Sequence, residues 1–157
     1  MNNFFLSFRS NQNLKGVNSD LIRVVREAIL ITNIDFMVIE GLRSFKRQKT
    51  LYMSGASQTM NSRHITGHAV DLAAIVDGKI RWDWPLYYNI ANAMLEASDT
   101  CGVPIEWGAA WGRHLAAFES AESASQAYID ERKAMEKRPF LDGPHFQLPW
   151  NLYPVQA

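Results

Sequence analysis

The sequence has little of several features that define whole classes of protein. Only one of its 157 residues is cysteine, which excludes an internal disulfide framework and a cysteine-rich zinc knuckle. Its 16 basic residues balance its 16 acidic residues, so it lacks the surplus of positive charge that nucleic-acid binding needs, and we expect no nucleic-acid partner. No apolar run approaches the roughly 18–20 residues of a membrane span. The remaining composition, 47% hydrophobic and 20% charged, is typical of one globular domain.

The first eight residues include Phe4, Phe5, Leu6 and Phe8 but lack the pattern of a secretory signal. Asn2 and Asn3 stand where a basic segment is expected, and no small-residue cleavage site follows the short apolar run. We therefore expect neither a signal peptide nor a stable membrane anchor. The protein should stay in the cytoplasm in which it is made until something else releases it.

Hydrophobic periodicity predicts a mixture of helices and short strands. Helices are predicted at about 19–32, at 44–53 and from Pro85 to Gly102. Strands are predicted at 36–39, 69–76, 79–82 and 103–107, with a further strand beginning at His145. A polar helix or helical hairpin is predicted at about 116–137, as an insertion over the fold. We expect one α+β domain over residues 1–157, with helices packed on a small antiparallel sheet.

Two of the four histidines lie in one short segment, which allows two interpretations. His64 and His68 are four residues apart, so a helix would place both on one face as zinc ligands. That motif needs a glutamate directly after the first histidine, where this chain has Ile65, and Gly67 interrupts the turn. In the alternative that we favour, Gly67 turns the chain from a loop that carries His64 into a strand that carries Asp71.

A metal site built on His64 and Asp71 would need a third protein ligand. Imidazole and carboxylate groups are ordinary zinc ligands, and His145 in the C-terminal segment could complete the set. Asp142, three residues earlier, could stand beside a metal-bound water as a general base. Spacing alone leaves a second interpretation open, in which the first pair is coincidental and His145 makes an ordinary hydrogen bond in the core.

These segments together resemble the motifs of a known peptidase family. The pattern is Ser62-x-His64-x-x-Gly67-x-Ala69-x-Asp71, followed by Asp142-x-x-His145. It resembles the family of VanY-like D-Ala-D-Ala carboxypeptidases and phage endolysin L-alanyl-D-glutamate endopeptidases. An upstream segment, Glu40-Gly41-Leu42-Arg43-Ser44 with Gln48 one turn later, is similar to the arginine segment of that family. The resemblance extends from about Leu14 to Leu148.

The resemblance implies a fold, a cofactor and a catalytic group. The fold would be a single domain of the Hedgehog and D-Ala-D-Ala peptidase type. His64, Asp71 and His145 would hold Zn²⁺. Asp142 would be the catalytic acid and base, taking a proton from the attacking water and returning it to the leaving amine.

The resemblance also implies how the substrate would be held. Arg43 would stabilise negative charge on the scissile carbonyl or on a substrate carboxylate. Ser62 and Gln48 would form hydrogen bonds with the peptide. Pro144 stands where endolysin relatives often have a second glycine, so this chain departs from the pattern in the turn before His145.

The implied activity is zinc-dependent cleavage of peptidoglycan, and three functions remain open. The first is a monomeric phage endolysin that cleaves the L-alanyl-D-glutamate bond of bacterial stem peptides. It would wait in the host cytoplasm and reach the cell wall once a holin opens the membrane. The second is a D,D-carboxypeptidase that removes terminal D-alanine; versions that work outside the membrane need a signal or anchor. The third is a non-catalytic wall-binding module, against which Asp142 argues.

Overall fold

The computed structural model of the protein describes residues 2–155, which form five α-helices, one 3₁₀-helix and five strands. The helices are α1 (Phe8–Asn13), α2 (Ser19–Ile31), α3 (Phe45–Met53), α4 (Trp84–Cys101) and α5 (Ala121–Ala134). The strands are β1 (Asp35–Glu40), β2 (Ala69–Val76), β3 (Lys79–Arg81), β4 (Glu106–Trp107) and β5 (His145–Gln147). The 3₁₀-helix is Leu115–Ala117.

Strand β2 is the centre of one antiparallel sheet in this part of the chain. It pairs with β1 along one edge and with β5 and β3 along the other, and β4 pairs with the far side of β5. A bulge after Val38 brings Glu40 opposite Asp71 on β2, and His145 lies opposite Asp71 on the other side. The register therefore gathers ionisable side chains at one end of the sheet.

The two faces of β2 serve different purposes. Val70, Leu72 and Ala74 are fully buried in the core, together with the apolar faces of α2 and α4. Side chains alternate across a strand, so Asp71 points to the opposite face, beside the small Ala69. One face of β2 thus supplies the main core, and the other carries Asp71 between the buried residues Ala69 and Ala73.

Helix ends fall where the sequence supplies capping groups. The side chain of Asn18 accepts a hydrogen bond from the backbone of α2, and that of Ser44 does the same for α3. Gly102 ends α4 in the left-handed conformation. These caps explain why the predicted bounds of the three main helices agree with the observed ones.

The structure differs from the sequence prediction at α1 and at β4. Helix α1 was not predicted, because its buried residue is Ser10, whose hydroxyl accepts a hydrogen bond from the backbone of Val38 on β1 at 3.0 Å. The predicted strand at 103–107 is wrong in its first half. Pro104 cannot donate a ladder hydrogen bond, and the backbone NH of Val103 instead bonds to Ser98.

Residues 116–137 contain α5, which packs against α4 and whose residues Ala121, Ala124 and Tyr128 are buried. The helical prediction is confirmed, whereas its status as an insertion stays a prediction. The fold prediction, an α+β domain with a small antiparallel sheet, is confirmed. In residues 2–155 we find no helix with the length and apolar character needed to cross a membrane.

Candidate metal centre and active site

Three side chains from separate parts of the sequence meet at one point. His64 lies in the turn before β2, Asp71 lies on β2, and His145 is the first residue of β5. One oxygen of Asp71 is 3.2 Å from Nε2 of His64 and 3.2 Å from Nδ1 of His145. One ligand atom from each residue lies within 4.8 Å of the other two, so the three form a possible metal-binding group.

Gly67 makes the turn that carries His64 into this position. Its φ of 76° is in the left-handed region, and a Cβ there would lie 2.4 Å from the carbonyl oxygen of Gly16. The Gly67 carbonyl in turn accepts a hydrogen bond from the backbone NH of Asn18 at 2.7 Å. Only glycine satisfies both the conformation and the close approach, as the sequence pattern indicated.

The two imidazoles face Asp71 through different ring nitrogens, Nε2 of His64 and Nδ1 of His145, because each has a hydrogen-bond partner at its other nitrogen. Nδ1 of His64 lies 2.8 Å from the carbonyl oxygen of Gly41, which can only accept, so Nδ1 carries the proton. Nε2 of His145 lies 2.8 Å from Oε1 of Gln147, which leaves Nδ1 of His145 facing the carboxylate. Sequence reasoning missed Gly41 and Gln147, although Gln147 lies on the same strand face as His145.

The electrostatics keep Asp71 ionised. Burial by itself would raise the pKa of Asp71, but the hydrogen bonds and positive charge that His145 and His64 supply when protonated outweigh burial and hold this pKa well below its usual range. Once the nitrogens that face Asp71 have lost their protons, two nitrogen lone pairs and a carboxylate oxygen converge on one point. A cation satisfies such a set, and two imidazoles with one carboxylate are a donor set that suits Zn²⁺.

Arg43 lies next to the three ligands and is held rigidly. Its guanidinium donates to both oxygens of Glu40 at 2.7 Å and to Oε1 of Gln48 at 2.6 Å, and it lies 3.7 Å from Oδ2 of Asp71. Its backbone NH also donates to the carbonyl of His64. The charge of Arg43 is therefore fixed beside the metal-binding group. Burial would raise the pKa of Glu40, but Arg43 and Arg47 lower it overall.

Gln48 lies behind Arg43 and is fully buried. Besides accepting from Arg43, its amide donates to Oγ of Ser57 at 2.8 Å and to the carbonyl of Thr59 at 2.6 Å. Ser62, in contrast, borders the cleft, and its hydroxyl accepts from the backbone of His64. A role for Gln48 in holding Arg43 fits these contacts better than the substrate contact that we predicted.

Asp142 lines the same cleft. Its backbone NH donates to Gly108 at 2.8 Å, and its carbonyl accepts from the backbone NH of His145 at 3.2 Å. Gly108 allows this approach, since a Cβ on it would lie 2.1 Å from the Asp142 carbonyl oxygen. Burial, together with the negative charge of Asp71, raises the pKa of Asp142 above its usual value. A raised pKa suits a carboxylate that must accept and return a proton.

The cleft has a volume of about 850 Å³ and is open to solvent along an aromatic rim. The rim consists of Trp82, Trp111, Phe140 and Trp150. Trp111 also packs against His145, with ring centroids 5.1 Å apart. Trp82 and Trp150 are both exposed to solvent at this rim.

Arg63, directly before His64, ties the C-terminal segment to the site. Its side chain is buried and donates to the carbonyls of Leu148 at 3.2 Å and Tyr153 at 2.8 Å. Its guanidinium also lies over the ring of Trp150, 4.2 Å from the centroid. The loop that carries the first imidazole is thus braced by residues 148–153.

Sequence comparison finds a matching family model and similar proteins from a phage and from a bacterium. A family model described as phage L-alanyl-D-glutamate peptidase matches residues 2–149. The chain is 30% identical over 143 residues to the L-alanyl-D-glutamate peptidase of Escherichia phage T5, covering 88% of this chain and 93% of that protein. It is 33% identical over 119 residues to the peptidoglycan L-alanyl-D-glutamate endopeptidase CwlK of Bacillus subtilis, covering 62% and 70%.

A solved structure is also similar. The crystal structure of the Serratia marcescens L-Ala D-Glu endopeptidase ChiX superposes with a TM-score of 0.75 at 38% sequence identity, covering 98% of this chain and 96% of that one. The family model spans almost the whole sequence, and the phage T5 and Serratia proteins match this chain over more than nine-tenths of their own length. The resemblance carried by the motifs is therefore confirmed: the chain is a hydrolase that belongs to the phage L-alanyl-D-glutamate peptidase family.

Proposed function

We propose that this chain is a zinc-dependent endopeptidase that cleaves the L-alanyl-D-glutamate bond of peptidoglycan stem peptides. The observation that carries the proposal is the convergence of His64, Asp71 and His145 in an open cleft, in a chain whose relatives are named for this activity. We propose further that it acts on the cell wall as a monomeric endolysin, after release from the host cytoplasm.

Zinc would be held by Nε2 of His64, a carboxylate oxygen of Asp71 and Nδ1 of His145. The metal would supply Lewis acidity, which makes water a nucleophile near neutral pH and polarises a carbonyl. The two imidazoles are buried and the carboxylate is partly buried, so the protein holds the donor atoms in place before the metal binds.

Asp142 and Arg43 supply the remaining chemistry. Asp142 borders the cleft beside the ligands, where its carboxylate can take the proton of the attacking water and pass it to the leaving amine. Arg43 holds a fixed positive charge that stabilises the negative charge developing on the scissile carbonyl. Because Glu40 and Gln48 hold its guanidinium in place, this charge needs no reorientation during the reaction.

Product analysis of digested peptidoglycan tests the proposed bond. Purified sacculi would be incubated with the zinc-loaded protein, with the same protein after chelation, and with Asp142→Asn as a control. We expect new amino-terminal D-glutamate from the zinc-loaded protein alone, detected by mass spectrometry after amino-terminal labelling. Release of free D-alanine would instead indicate a carboxypeptidase, and muropeptide binding without cleavage at full zinc occupancy would indicate a binding module.

A further inference from the structure

We propose that Gln147 and Glu106 form a hydrogen-bonded relay that fixes which nitrogen of His145 faces the metal, so that both act as positioning residues for the site. The inference rests on the metal site proposed above. Nε2 of His145 lies 2.8 Å from Oε1 of Gln147, and Nε2 of Gln147 donates to Oε2 of Glu106 at 3.2 Å.

The sheet register places the three side chains in one row. His145 and Gln147 are two residues apart on β5, so both point to the face that carries Asp71. Glu106 on β4 lies directly opposite Gln147. On the other side Gln147 lies opposite Ala69, a residue too small to form a competing hydrogen bond through its side chain.

The relay removes an ambiguity that the glutamine alone would leave. The two ends of a side-chain amide have nearly the same shape, so a lone Gln147 could present either its oxygen or its NH₂ group to His145. Glu106, as a carboxylate, can only accept a hydrogen bond, so it binds the NH₂ group of Gln147. The oxygen of Gln147 is then left for His145, whose Nε2 must donate and whose Nδ1 is free to bind a metal.

His64 needs no such relay and so provides an internal comparison. Its partner is the backbone carbonyl of Gly41, which is fixed by the chain and can only accept. Both imidazoles are oriented by hydrogen bonds from outside the metal-binding group, as is usual for metal-binding histidines. Only the orientation of His145 depends on side chains that mutation can change.

The first experiment replaces Gln147 with methionine, which has a similar shape but cannot form the relay. We expect the zinc affinity of Gln147→Met, measured by competition with a chromophoric chelator, to fall by about 10- to 100-fold. Nitrogen-15 NMR of the imidazoles in the metal-free protein should show that His145 loses its fixed Nε2–H form. The His64 signals should stay unchanged.

The second experiment separates the relay from simple packing. In the double variant Gln147→Glu with Glu106→Gln, the glutamate accepts from both His145 and the new glutamine. The bond between positions 106 and 147 is reversed, but His145 still has only an acceptor opposite its Nε2 and the net charge is kept. We expect this exchanged pair to bind zinc nearly as tightly as the wild type. Glu106→Ala should weaken zinc binding less than Gln147→Met, and combining those two changes should cost no more than Gln147→Met alone.

The outcomes distinguish the relay from the metal site itself. Wild-type affinity and an unchanged His145 tautomer in Gln147→Met would overturn the relay while leaving the metal site intact. Additive losses from Glu106→Ala and Gln147→Met would also overturn it. Absence of zinc binding by the wild type would overturn the proposed function instead. Thermal unfolding of each metal-free variant checks that the fold survives, and the exchanged pair keeps the test decisive if Gln147→Met does not fold.

Discussion

The two imidazoles at the centre of the cleft present different nitrogens to the same carboxylate oxygen. His64 offers Nε2 and His145 offers Nδ1, both 3.2 Å from Asp71. The motif spacing predicted these three residues but not the nitrogens, because the choice depends on Gly41 and Gln147, whose positions follow from the fold. Sequence therefore identified the donor types, while their hydrogen-bond partners became visible only in the structure.

Asp142 is the residue at which proton transfer can be tested most directly. The variant Asp142→Asn keeps the shape of the side chain but removes the basic oxygen, so we expect kcat to fall by about 10²- to 10⁴-fold. Zinc content should remain at one ion per chain. Steady-state hydrolysis of purified muropeptides, with metal analysis of the same sample, checks both expectations. Near-wild-type turnover would mean that another group is the base.

Arg43 offers a comparison with its neighbour Arg47. Both donate to Glu40, but Arg43 is buried beside Asp71 whereas Arg47 is exposed. Arg43→Lys loses the planar fork that engages Glu40 and Gln48 together, and we expect about a 10²- to 10³-fold lower kcat. Arg47→Lys should retain most of the activity. Equal losses from both substitutions, in the muropeptide assay, would show that position 43 has no special role.

At the level of elements, hydrophobic period and capping residues predicted those parts of the fold that bury apolar side chains. Helix α2 and strand β2 fall close to their expected bounds for this reason. Helix α1 escaped prediction because it contacts β1 through Ser10 and Asn13, which hydrogen-bond to the backbone of Val38. A short helix held by polar contacts leaves no periodic apolar pattern in the sequence.

Gly67, in the turn between His64 and β2, should tolerate substitution less well than a glycine with open space around it. Gly67→Ala would pay about 1–2 kcal/mol for the left-handed backbone and at least about 1 kcal/mol more for displacing the carbonyl of Gly16. Gly55→Ala is the matched control: its φ is 80°, but among the described residues no atom lies within 4 Å of the added Cβ. Urea unfolding of both variants should show the larger loss at Gly67. Equal losses would mean that the close approach to Gly16 costs nothing.

For the whole molecule, metal binding and folding should be coupled. The donor atoms come from His64, Asp71 and His145, which are brought together only by the folded sheet. A zinc concentration a thousand times the dissociation constant would stabilise the folded state by about 4 kcal/mol. We expect the melting temperature to rise with zinc and to return to the metal-free value with a chelator. An unchanged melting temperature in saturating zinc would contradict this coupling.

Tyr153 should make the free energy of unfolding depend on pH in the alkaline range. Burial and a hydrogen bond to Asp20 raise the pKa of Tyr153 to about 12. A raised folded-state pKa means that the neutral phenol stabilises the fold fully below the ordinary value near 10 and loses this effect as the pH rises towards 12. The difference in unfolding free energy between the wild type and Tyr153→Phe should therefore shrink between pH 10 and 12. A constant difference over that range would contradict the assignment.

Engineered versions of this protein would have to respect the contacts of Arg63. Arg63 directly precedes His64, one of the three metal-binding residues. Its guanidinium donates to the carbonyls of Leu148 and Tyr153 and lies over the ring of Trp150. A fusion partner or affinity tag joined close behind Tyr153 would pull on this anchorage, and a deletion of residues 149–153 would strip acceptors from a buried cation. Attachment at the opposite end leaves the contacts of Arg63 intact, but a fusion there would have to preserve Asn2, whose amide donates to the carbonyls of Ile29 and Thr32.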